Sequence, residues 1–133
     1  MGIAGDGGLD GVWKKVSGSS AAPQYTNADT SKFTINTFDA EYVAPDVVHI
    51  NITVTLQSSL TAGSTYMLLS LSGRQIDNRK FRGGRQALSG IANSKSQAIG
   101  AMVDSGGVNI WIGVPININS GDVLIISGTA RLN

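Results

Sequence analysis

The ten residues V-V-H-I-N-I-T-V-T-L at positions 47–56 decide the fold class. From Val48 onward every second residue is apolar (Val48, Ile50, Ile52, Val54, Leu56), and His49, Asn51, Thr53 and Thr55 lie between them. A period of two is that of a strand, whose successive side chains point to opposite faces. A helix would scatter the same residues around its circumference, and their β-branching disfavours it further. One face of this strand is built for a core. The other is a polar stripe without a charged residue, and neutral hydroxyls and amides cost far less to bury than ions. The stripe is therefore expected to meet another molecule, either a second subunit or a shallowly bound saccharide.

Working outward, residues 32–38 alternate, with Phe33, Ile35 and Thr37 opposed to Thr34, Asn36 and Phe38. Residues 41–43 extend that strand after a bend, and Pro45-Asp46 signals a turn into the strand at 47–56. After a connection at 58–64, the run Y-M-L-L-S-L-S at 66–72 is short and apolar enough for a buried strand. Further strands are predicted at 86–91, 98–103, 108–114 and 123–132, with D-S-G-G at 104–107 as a hairpin turn and N-S-G-D at 119–122 as another. Pro115 ends the strand before it or places it at an edge. Upstream, V-W-K-K-V at 12–16 is a strand candidate, and 17–29, with Pro23, reads as a loop. About eight short strands and no amphipathic helix imply an all-β fold, an antiparallel β-sandwich or jelly-roll-like β-barrel. Residues 1–11 read as a flexible glycine-rich lead-in and 12–133 as a single β head domain.

Composition narrows the function classes. The chain has 133 residues, no cysteine, one histidine and a formal net charge of +1. Disulfides and thiolate metal sites are excluded, as are Cys-His catalysis and a histidine-rich zinc site built from one chain. No serine sits in a G-x-S-x-G elbow. The acidic residues Asp39, Glu41, Asp46, Asp77, Asp104 and Asp122 fall mostly in expected turns, where Asp is favoured for backbone reasons, so a catalytic carboxylate pair is not expected. The reading is of a protein that is not an enzyme and needs no cofactor or metal. No apolar run is long enough to span a bilayer, and the N-terminal residues lack a signal-peptide pattern, so no membrane partner is expected.

Residues 74–90 hold half of the ten basic residues, with Arg79, Lys80, Arg82 and Arg85 around Phe81 and Gly83-Gly84. Phosphate contacts with one aromatic stacker would suit nucleic acid, whereas a solvated loop pairing its arginines with Asp77 or another subunit is the plainer account. With so small a net charge, no nucleic-acid partner is expected. Trp111 is more telling. If Val108, Ile110, Ile112 and Val114 face the core, then Asn109, Trp111 and Gly113 face outward. An outward indole flanked by a small residue and an amide suits the C–H face of a sugar, although cover by a loop or a subunit is the plainer account.

The series at 47–56, L-T-A-G-S-T-Y-M-L-L-S-L-S at 60–72, A-I-G-A-M-V-D-S-G-G-V-N-I-W-I at 98–112 and I-N-I-N-S-G-D-V-L-I-I-S-G-T-A at 116–130 resembles a known family. It is similar to the head domain of tail-tip or baseplate receptor-binding proteins of phages infecting Gram-positive bacteria, of the lactococcal siphophage type. Leu71-Ser72-Gly73-Arg74 departs from the Leu-Pro-x-Gly-Tyr-Arg-Pro pattern usual there. The resemblance covers residues 47–133 and implies a homotrimer of β heads in the virion, attached to other baseplate proteins. Such heads adsorb to host cell-wall polysaccharide without chemistry. The saccharide-binding candidates read from the residues are Trp111 as platform, His49 and Asn109 as hydrogen-bond partners, and Arg79 and Arg82 as phosphate contacts.

Overall fold

A computed structural model of the protein describes residues 21, 23–71, 76–77, 79–83, 85–104, 106 and 108–133. They form eight strands: β1 (Thr26–Asn27), β2 (Phe33–Ala44), β3 (Val47–Leu56), β4 (Thr65–Ser70), β5 (Gln86–Ala92), β6 (Gln97–Val103), β7 (Asn109–Gly113) and β8 (Val123–Arg131). The expected strand at 12–16 and the lead-in at 1–11 lie outside the described residues. All pairings are antiparallel, and the strands make one sheet in the order β1-β4-β7-β6-β5-β8-β3-β2. The two edge strands are consecutive in the chain, so the 28–32 turn brings the sheet's ends together. There the Asn27 side-chain amide donates to the Phe33 carbonyl at 2.8 Å. The result is a nearly closed, barrel-like all-β fold.

The strand at 47–56 is β3 with the bounds its alternation predicts. Val48, Ile50, Ile52, Val54 and Leu56 are all buried in the barrel, and His49 and Asn51 are exposed. It sits between β2 and β8, which makes it the most fully paired strand of its side of the barrel. Its outer hydroxyls bond across the sheet: Thr53 pairs with Thr37 at 2.7 Å, and Thr55 accepts from the Asn36 amide at 2.8 Å. A cross-strand ladder of this kind satisfies the threonine half of the polar stripe within the chain.

Three details depart from the expected pattern. First, the alternation over 32–38 does not run through, because a register shift between Ile35 and Thr37 inserts one residue. The bulge turns Phe38 onto the same side as Phe33, and both rings are buried. Second, Thr26–Asn27 pairs with Ser70 and Leu69 although 17–29 reads as a loop. Two residues are too few to show a period. Third, Val108 is half-buried, whereas Ile110, Ile112 and Val114 enter the core as expected. The basic stretch contributes β5 at its end, and Phe81, within it, is buried against the chain's C-terminal residues through a bridge to Leu132.

Candidate functional site

Strand β7 lies between β4 and β6, and Trp111 is its central outward residue. The register sets Met67 of β4 on one side of it and Met102 of β6 on the other. Directly opposed side chains on antiparallel strands stand about 5 Å apart, so the indole is flanked by two flexible thioethers and is half-buried. Beyond β7, the hairpin arm before the turn brings Asp104 back to this face. Its Oδ2 accepts from the Asn109 amide at 2.7 Å and from the Trp111 indole N–H at 3.3 Å. The indole is thereby held at both its apolar and its polar ends.

Next to the indole, the sheet presents two glycines directly paired, Gly100 of β6 and Gly113 of β7. Neither is required by crowding. A Cβ on Gly100 would come no closer than 3.6 Å to the Gly113 backbone, and one on Gly113 would sit 3.6 Å from Thr65 Cγ2, both ordinary contacts. Glycine in a strand interior costs stability and commonly marks a close approach by another molecule. Here the missing side chains leave a shallow groove of about 350 Å³ floored by Gly100 and Gly113 and walled by Trp111, Met102, Ala87 and Thr65. By contrast, a Cβ on the inward Gly90 would lie 2.7 Å from Ile99 Cγ1, so that glycine serves packing.

The electrostatics of this face are set by what is missing from it. Strands β4, β5, β6, β7 and β8 are consecutive in the sheet, and Arg131 is their one charged residue. Asp104 stands at the rim, one residue past β6. Burial by itself raises its carboxyl, but the hydrogen bonds from Asn109, Trp111 and the Gly106 amide outweigh that and hold it below the ordinary carboxylate range. It is an anion at neutral pH, fixed by its own donors. No protein-family model and no curated protein matches the chain.

The five residues expected to bind do not converge. Trp111 and Asn109 share Asp104 on β7, as their spacing of two on one strand allows. His49 is exposed on β3, opposite Glu41 and Thr129, and three strands lie between β3 and β7 in sheet order, so that four strand spacings make an arc of roughly 19 Å. Arg79 is spent on the chain itself: its guanidinium donates to the Pro45 carbonyl at 2.9 Å, to the Asn133 carbonyl at 3.0 Å and to the Asp46 carboxylate. Arg82 lies 3.7 Å from the other Asp46 oxygen. These arginines tie the 79–82 segment to the β2–β3 turn and the C-terminal residue, remote from Trp111 in the sheet. Gly113 was expected beside the indole, whereas Gly100, Met102 and Asp104 are the site residues that sequence reading misses. The signal for Asp104 was its place just before a hairpin turn whose far arm carries Asn109 and Trp111. Among the described residues no cluster of three or more His, Asp or Glu side chains could hold a metal.

Proposed function

We propose that the protein is a non-catalytic receptor-binding head that adheres to host cell-wall saccharide through the Trp111 groove. The observation that carries this reading is the outward indole beside a groove opened by two glycines that the backbone does not need. A sugar ring laid in the groove would set its C–H face on the indole, while the Asn109 amide and the Asp104 carboxylate meet its hydroxyls. The resemblance to phage tail-tip heads agrees with such a role and would place the protein in the virion, as a homotrimer attached to other baseplate proteins. Each shallow site would bind weakly, so several heads engaging one wall would supply the avidity.

A second reading is favoured by the uncharged sheet face: a purely structural virion or baseplate module in which that face is a subunit contact. Trp111→Ala separates the two. Loss of the stacking surface should lower retention on purified walls of a susceptible strain about tenfold, with solution mass unchanged. Unchanged retention would sink the adhesion reading, and a variant that falls apart into smaller species would favour the structural one.

A further inference from the structure

Among the described residues the barrel is not closed along its whole height, and the gap lies beside Trp111. β1 pairs with β4 only at Ser70 and Leu69, and among the described residues the last backbone hydrogen bond across the seam runs from the Ala28 amide to the Leu68 carbonyl at 3.2 Å. Past that point the edge of β4 at residues 65–67 faces the 28–32 turn with no partner strand among the described residues. A cleft of about 410 Å³ fills the gap, lined by Asp29, Lys32, Thr65, Tyr66, Met67 and Trp111 among others. Trp111 and Thr65 thus belong both to this cleft and to the glycine-floored groove. The two depressions share the indole as a common wall. Their centres are about two strand spacings apart, roughly 10 Å, which is further than a single sugar ring reaches.

The cleft differs from the groove in carrying one charge of each sign. Lys32 is fixed at its backbone, where its amide donates to the Asp29 carbonyl at 3.1 Å and its carbonyl accepts from the Gln57 amide at 2.7 Å. Its ammonium stands 6.0 Å from the centre of the Tyr66 ring, and among the described residues no carboxylate lies within ion-pair distance of it. Asp29 is fixed through one oxygen: Oδ1 accepts from the Ser31 amide at 3.0 Å and from the Ser31 hydroxyl. Oδ2 remains as an acceptor. A three-donor ammonium and a carboxylate oxygen at the mouth of one cleft match neighbouring hydroxyls, each of which both donates and accepts. Their charges cancel, so the pair does not favour an anion over a neutral ligand.

We propose that this seam cleft is a second subsite, taking the next ring of a neutral oligosaccharide whose first ring lies in the Trp111 groove. Asp29 accepts from, and Lys32 donates to, the hydroxyls of that second ring. The proposal rests on the reading of Trp111 as a sugar platform, and the test separates the two. Oligosaccharides released from Gram-positive cell walls are sorted by length and by charge, and their binding to the full chain is measured by calorimetry. The native protein should bind neutral chains of several rings roughly tenfold tighter than single rings. Lys32→Met and Asp29→Asn should reduce the long chains to the single-ring level and leave single rings unchanged. Lys32 makes no side-chain hydrogen bond among the described residues, so Lys32→Met tests the subsite without loosening the turn. If both variants keep the preference for long chains while Trp111→Ala abolishes binding, the second subsite is wrong and the platform stands. Tighter binding of an anionic fraction than of a neutral one of equal length also overturns it. A Trp111→Ala protein that binds like the native one, or a native protein that binds no fraction, removes the platform itself.

Discussion

Asp104 accepts from both Asn109 and Trp111, so its charge and the setting of the indole change together. Its carboxyl sits below the ordinary range in the folded protein. A depressed folded value means that its contribution is fully present above the unfolded value, about 4, and is lost as pH falls through the folded one. Indole fluorescence and wall binding should therefore hold steady from neutral pH down to about 4 and fall off below it. The measurement is a pH titration in a Trp13→Phe background, which leaves Trp111 as the sole reporter. In Asp104→Asn the acid transition of the indole should vanish, and a transition that persists would place its cause elsewhere. Outward placement of Trp111 was legible in the sequence, since Ile110 and Ile112 bracket it. Its tether to Asp104 was not, because the contact crosses a hairpin whose two arms have to be in register first.

At the scale of the strand, β6 and β7 carry glycines of opposite purpose from their neighbour Gly90. Gly100 and Gly113 face outward with room for a Cβ, whereas Gly90 faces a side chain it would strike. Gly113→Val should leave stability within about 0.5 kcal/mol of native, as surface substitutions do, and β-branched residues suit a strand. Wall binding should drop because the new methyls occupy the groove. Denaturant unfolding and retention on walls, measured on the same preparation, check both halves. A variant that binds normally would show that the groove is not the binding surface. Alternation put Gly113 on the outer face from the sequence, but it does not tell whether a neighbouring strand would crowd a side chain at Gly90 or Gly100. The bulge in β2 makes the same point: the period is broken at one residue, and only pairing with β3 reveals that Phe38 joins Phe33 inside.

Over the whole barrel, the outer face divides into regions of different character. Around β2 and β3 it is polar, laced by Thr37–Thr53 and Asn36–Thr55 hydrogen bonds. Around β5 and β8 it shows Ile91, 37% exposed, beside the half-buried Ile125, its register partner. Apolar side chains left at a surface whose strands carry Arg131 as their one charge suit contact with another subunit. On this basis the native protein should run in solution as a multiple of its 13.8 kDa chain mass, three copies if the tail-tip reading holds. Ile91→Asp should reduce it to a monomer, since burying an unpaired carboxylate is costly. Light scattering of the two proteins decides the matter, and a native monomer would end the subunit reading of this face.

The sequence by itself determined the class of fold and the inside and outside of most strands. Alternation is a property of the extended backbone, so a run such as 47–56 carries its two faces wherever it is placed. It also determined that Trp111 points outward. Tertiary structure decided which outward residues meet. Sheet order puts Gly100, Gly113, Met102, Met67 and Thr65 around Trp111, sets His49 four strands away, and commits Arg79 to Asp46 and the C-terminal carbonyl. Neighbours across a sheet come from residues far apart in the chain, and the pairing of β4 with β7 and the insertion of β8 between β3 and β5 are fixed by closing one core. No local pattern in the sequence records that choice.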